Sequence, residues 1–216
     1  APIFTITYNA PPRAAIAYLF VPLLAIVSKL GLLTFSNQDM TEVVKRMSEK
    51  RATYALDVSI AQNPAKKLAE KLAEKIVVIA ASRPLAEAAR RWKQELNENA
   101  KNAAYFEAFP ELCHTTIVGR DHPRTQKKDG FVILLQSNFD HPRNVLRINL
   151  YASVLAKKAI PYEIVKTDRA PNPVAELSET ILLGDFVSYY LAILNRVDPT
   201  PVEPIEQLKK ELARHQ

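Results

Sequence analysis

Ile76-Val77-Val78-Ile79-Ala80 and Phe131-Val132-Ile133-Leu134-Leu135 are uninterrupted apolar runs of five residues with β-branched side chains at their centres. A strand with one wet face alternates apolar and polar positions, so runs of this kind predict strands buried on both faces, as in a parallel sheet covered by helices. What lies between and around them agrees. Pro84 to about Leu96 predicts an amphipathic helix after the first run. After the second, Pro142 to Lys158 carries Val145, Ile148, Ala152 and Leu155 on one face. Tyr162 to Val165 reads as a further strand, and Thr115 to Val118 as a weaker one. Asn172-Pro173 pairs a capping side chain with a proline at the first helical position and opens a helix striped by Leu177, Ile181, Phe186, Tyr190 and Leu194. Short apolar strands alternating with long amphipathic helices give an α/β fold, a three-layer parallel sheet.

Upstream, Pro2 to Tyr8 is an extended apolar segment that reads as a strand over Phe4–Tyr8, followed by the turn Asn9-Ala10-Pro11-Pro12. A mostly apolar helix from Arg13 to Leu30 is closed by Gly31. Helices are expected over Thr41–Arg51, over Asn63 to about Glu74, and from about Val202 to Ala213. The opening strand looks as though it is entered from a preceding segment, so the chain is expected to be one part of a larger or split protein. The domain reading is a strand-plus-helix tail of an earlier domain at 1–31, connecting helices at 32–74, a second-half domain at 75–195 and a C-terminal helix at 196–216.

Composition narrows the function classes. The four glycines, Gly31, Gly119, Gly130 and Gly184, are far apart, which excludes both the GxGxxG and the Walker A loop, because each brings backbone amides to phosphates through closely spaced glycines. No cofactor and no metal is expected. The lone Cys113 admits no internal disulfide and suits a reducing, cytoplasmic compartment. The most apolar stretch, Ala14 to Val27, is too short to span a bilayer and contains Pro22; no membrane partner is expected. A net charge of +6 suits an anionic ligand. It also admits a nucleic-acid reading centred on Arg120, Arg124, Lys127 and Lys128, but these form one short cluster without interleaved aromatics, so no nucleic-acid partner is expected.

The segment Glu95-Leu96-Asn97-Glu98-Asn99-Ala100-Lys101 is a polar cluster at a helix end. Two asparagines around a glutamate can fix a carboxylate for acid–base work, although composition alone favours the plainer reading of a fraying helix end. His114 follows the apolar, turn-prone Phe109-Pro110-Glu111-Leu112-Cys113 and titrates where proton transfer is useful, although a lone histidine is commonly structural. His122 and His141 each precede a proline and read as loop and helix-start residues.

Four pieces in register then point one way: Ala10-Pro11-Pro12-Arg13-Ala14-Ala15, Asn97-Glu98-Asn99-Ala100-Lys101, Pro110-Glu111 with His114, and Asp198-Pro199-Thr200-Pro201-Val202 with Ile205 and Leu208-Lys209. Together they resemble the C-terminal half of the bifunctional phosphoglucose/phosphomannose isomerases, which are built from two sugar-isomerase (SIS) domains. The resemblance implies an aldose–ketose isomerase that interconverts glucose 6-phosphate or mannose 6-phosphate with fructose 6-phosphate through a cis-enediol. It implies Glu98 as the base between C1 and C2, His114 as a ring-opening residue supplied by the neighbouring subunit, Lys209 at the ring-oxygen end and Arg13 steadying the enediolate. It further implies a homodimer with a shared site, and phosphate-binding loops in a first SIS domain upstream of this chain. The nearest serine loop here, Ala81-Ser82-Arg83-Pro84, belongs to the second domain. Cys113 and Thr115 depart from the polar surroundings expected of the histidine, and the epimer-sensing position falls near Thr200 to Val202. The rival reading is a non-catalytic SIS-type module that binds a sugar phosphate or holds a dimer together.

Overall fold

The computed structural model describes residues 3–215 and divides into two compact units, 1–45 and 46–216. The first unit starts with extended chain rather than the expected strand. Ile3 to Asn9 pairs with no other segment among the described residues, and Ile3 and Phe4 are exposed. A β-prone sequence acquires ladder bonds only beside a partner strand, and none is there. A single turn of 3-10 helix at Pro12–Ala14 leads into α1, Ile16–Lys29, where Tyr18 stacks on Tyr8. Gly31, at φ +71, takes the left-handed conformation that ends this helix. α2, Asn37–Thr53, begins at a reciprocal cap. The Ser36 hydroxyl accepts from the Asp39 amide at 3.1 Å while the Asp39 carboxylate accepts from the Ser36 amide at 2.8 Å.

The second unit holds the sheet. Asn63 caps α3, Pro64–Leu72, by accepting from the Lys66 amide, as the Asn-Pro pair suggests. Then follow β1, Ile76–Ala81; α4, Ala86–Glu98; β2, Ala104–Ala108; a one-turn α5, Gln126–Asp129; β3, Gly130–Leu135; α6, Pro142–Lys157; β4, Tyr162–Val165; α7, Pro173–Leu194; and α8, Glu203–Arg214. All strand pairs are parallel, in the order β2-β1-β3-β4, with Ile76 opposite Gly130 and Val77 opposite Ala104. The two runs that decide the fold are therefore adjacent central strands. β2 is not evident from the sequence, and Thr115–Ile117 is turn with Val118 opening a short 3-10 helix, instead of a strand. The reason is the same in both cases. An edge strand is covered on one side only, so Ala104-Tyr105-Phe106-Glu107-Ala108 needs less apolar character than a buried one. Thr115-Thr116-Ile117-Val118 is β-branched throughout, but it pairs with no strand among the described residues and Val118 is 72% exposed, so β propensity without a partner predicts little.

Alternate residues of the central strands feed two cores. Val77, Ile79, Phe131, Ile133 and Leu135 pack with α3, α4 and α7; Val132 and Leu134 pack with Ile148, Tyr151, Ala152 and Leu155 of α6. This is the three-layer arrangement. α7 is long and apolar enough to cross a membrane by length and composition alone, but half of that span is buried in the protein. It carries the fully buried Glu176 and Glu179, as a core helix can when its carboxylates are partnered. Gly184 lets α7 approach α4: a Cβ there would lie 2.2 Å from the Trp92 indole nitrogen, which donates to the Thr180 carbonyl at 2.8 Å.

Candidate functional site

α4 runs back from the carboxyl end of β1 and finishes at the end of the sheet where strands begin. Glu98 is its last residue, half-buried. Beyond it the chain reverses at Lys101, which holds φ +53, a conformation that costs a non-glycine residue about 1 kcal/mol. The Lys101 ammonium compensates by donating to the Glu98 carbonyl at 2.7 Å and to the Pro201 carbonyl at 2.8 Å. It thereby ties the helix end to the segment that leads into α8. Asn195 adds a second tie, donating to the Ala100 carbonyl at 2.9 Å. Between these parts lies a groove of about 770 Å³ lined by Asn97, Glu98, Lys101, Asp198, Pro201 and Ile205, among others. Lys209 is exposed on α8, one helical turn after Ile205 and on the same side of the helix.

His114 is exposed and follows the opposite end of β2. Five strand residues separate the two ends, so roughly 16 Å of β2 lies between Glu98 and His114 within one chain. Arg13 sits in the 3-10 turn of the first unit. The structure thus brings Glu98 and the α8 segment carrying Lys209 to one groove and sets His114 at the other end of β2.

The neighbouring asparagines do a job that sequence reasoning missed. Asn97 donates to the Asn102 carbonyl at 2.7 Å, holding the reversal. Asn99 donates to the Glu95 carboxylate at 2.6 Å and to the Ser188 hydroxyl at 2.9 Å. Glu95 is buried at the α4–α7 interface, where Arg91 serves both it, at 3.0 Å, and Asp185, at 3.1 Å. Burial outweighs the arginine: the Glu95 carboxyl is pushed up to about 7, and Asp185, also mainly through desolvation, up to about 6. The spacing Arg91–Glu95–Asn99, four residues at each step, was the available signal.

At the other end of the strands the polar groups turn inward. The Glu176 carboxylate, fully buried, accepts from the Asn138 amide and side chain, each at 2.7 Å, from the Ser137 hydroxyl, and from Thr167 at 3.4 Å. Asp140 accepts from the Ser137 amide at 2.9 Å and from the Ser82 hydroxyl. Burial raises the Asp140 carboxyl despite these bonds.

The profile of a family described as bacterial phospho-glucose isomerase C-terminal SIS domain matches residues 61–212. The chain belongs to that family. A bifunctional phosphoglucose/phosphomannose isomerase of Caldicellulosiruptor bescii is 37% identical over 98% of this chain and 62% of its own length. The protein of the same name from Thermoplasma volcanium is 35% identical over 94% of this chain and 60% of its own. The chain therefore spans about 60% of these relatives. Among solved structures, a glucose-6-phosphate isomerase-like protein of Thermus thermophilus superposes with a TM-score of 0.63 at 22% identity, over 74% of this chain and 53% of that one. A glucosamine-6-phosphate deaminase of Thermotoga maritima does so with a TM-score of 0.60 at 11% identity, over 88% and 54%. At such identities these two show the shared SIS-type fold alone.

Proposed function

We propose that this chain is the catalytic C-terminal part of a sugar-phosphate aldose–ketose isomerase acting on glucose 6-phosphate or mannose 6-phosphate. The observation that carries the reading is Glu98 at the rigid end of α4, lining a groove closed on its far side by the start of α8. In the open-chain aldose, the Glu98 carboxylate takes the proton from C2 while the C1 carbonyl oxygen takes up a proton to give the enediol. The carboxylate then returns its proton to C1 as the C2 hydroxyl gives up its own, which replaces the proton taken up at O1 and leaves the ketone at C2. A carboxylate anchored on a helix end by the Lys101 reversal is positioned for two transfers to neighbouring carbons without moving far. Lys209, one turn beyond the groove lip, serves the ring-oxygen end, and Arg13 serves the enediolate charge.

His114 belongs to the same chemistry only if it opens the ring in a second copy's site, since β2 separates it from Glu98 in its own chain. The exposed Leu19, Leu23 and Ile26 of α1, with Leu30 just after it, supply apolar surface suited to a partner. Sedimentation at micromolar concentration should show a dimer; a monomer would overturn the shared site. The phosphate-holding loops are assigned to a preceding SIS domain. Turnover of fructose 6-phosphate by this chain should be low, and should rise when an N-terminal SIS fragment is added. Full activity of the chain alone would overturn that division of labour, and no activity in either case would favour the non-catalytic module.

A further inference from the structure

Open parallel α/β sheets take their ligands in the crevice outside the carboxyl ends of the strands, at the point where strand order reverses. Here that point lies between β1 and β3, whose chains leave in opposite directions to β2 and β4. The residues beyond the strand ends are polar and buried: Ser82 after β1, Gln136 and Ser137 after β3. Ser82 and Gln136 follow the paired residues Ala81 and Leu135, so they stand side by side. Their donors and their neighbours' form a cradle of the kind that receives an oxyanion, two main-chain amides in succession with hydroxyl and amide side chains around them. Its centre is filled by Glu176, reaching in from the first turn of α7 to four donors, with Asp140 taking two more. The neighbouring Gln136 side chain, 2% exposed, has neither its oxygen nor its nitrogen hydrogen-bonded among the described residues, so polar capacity is left unused next to the strand ends.

We infer that the crevice between the carboxyl ends of β1 and β3 is an oxyanion site whose guest is the chain's own Glu176 carboxylate, and that removing this carboxylate opens a site for a small free carboxylate or inorganic phosphate. This ligand capacity belongs to the domain itself and stands apart from the isomerase reading. It supplies a physical reason why a substrate phosphate must be held elsewhere: the place that the fold offers is taken, and the neighbouring Asp140 adds a second negative charge.

The test uses the whole chain and Glu176→Ala, melted in sodium acetate and in sodium phosphate against sodium chloride at equal ionic strength. Glu176→Ala should melt below the parent in chloride. It should then gain a saturable rise of about 5 °C in at least one of the two oxyanions, while the parent shows none. Asp168→Asn, which removes a surface carboxylate, should behave as the parent does. A folded Glu176→Ala that responds to neither anion overturns the inference, as does a parent that responds equally. If Glu176→Ala fails to fold in chloride, refolding driven by either oxyanion supports the site, and failure to refold in both overturns it. None of these readouts involves isomerase turnover, so loss of the catalytic reading would leave them unchanged.

Discussion

The two ends of the sheet are built on opposite principles. Where the strands begin, the chain holds itself open: Lys101 donates its ammonium to two main-chain carbonyls, Asn97 and Asn195 fasten the surrounding loops, and Glu98 is left lining a groove. Where the strands end, in the region that usually receives ligand, carboxylates from α7 and from the β3–α6 turn satisfy the local donors from within. Polar content alone does not separate a site from a structural network, since both ends are rich in it. What separates them is that one end leaves a groove of about 770 Å³ beside its carboxylate, whereas the other packs its carboxylates against the local donors.

That contrast can be broken in four ways. The largest effect is expected at the open end. In the enzyme completed with its first SIS domain, Glu98→Gln should lower kcat by about two to four orders of magnitude with little change in KM, and solvent exchange at C2 should cease. The melting temperature should barely move. Near-normal exchange would send the search for the base to Glu111. Next, Gly184→Ala should destabilise the second unit by about 3 kcal/mol in urea titration, because the new Cβ falls on the Trp92 ring. Third comes the α4–α7 interface. A buried acid whose pKa rises on folding, here from 4.5 to about 7, stabilises the fold most fully below pH 4.5, and that contribution is lost as pH climbs through 7. Stability should therefore fall between about pH 5 and pH 7.5. Glu95→Gln should flatten the fall by about 2 kcal/mol and melt above the parent at pH 8. An unchanged pH profile would place the proton elsewhere. Smallest, Lys101→Met should cost about 1 kcal/mol and speed amide exchange over residues 195–203, since two charge-assisted bonds are lost from the groove's lip.

The central strands, the helices around them and the caps at Asn63 and Asn172 were legible because each is signalled locally, by an apolar run or by a side chain that meets its own backbone. β2 was not legible, for its stability comes from β1 rather than from its own composition. Glu98 stands out in the sequence as a carboxylate between asparagines, yet those asparagines support the reversal and Glu95. Their partners lie up to 89 residues away in sequence, and no short window contains them. Glu176 lies outside the apolar stripe of α7, among Ser178, Glu179 and Thr180, and nothing nearby marks it; that it reaches the β3 turn depends wholly on how α7 crosses the sheet.

The strand order also sets a course for folding. β1, α4 and β2 are consecutive and can assemble as one local unit. β1 meets β3 only across a separation of about fifty residues, from Ile76 to Gly130. Closing a loop of that length costs entropy before any of the central apolar surface is covered. The rate-limiting event in refolding should therefore be capture of β3 by a preformed β1–α4–β2 unit. Truncating Ile133 should slow refolding more than truncating Ile148, whose helix can pack after the sheet has closed.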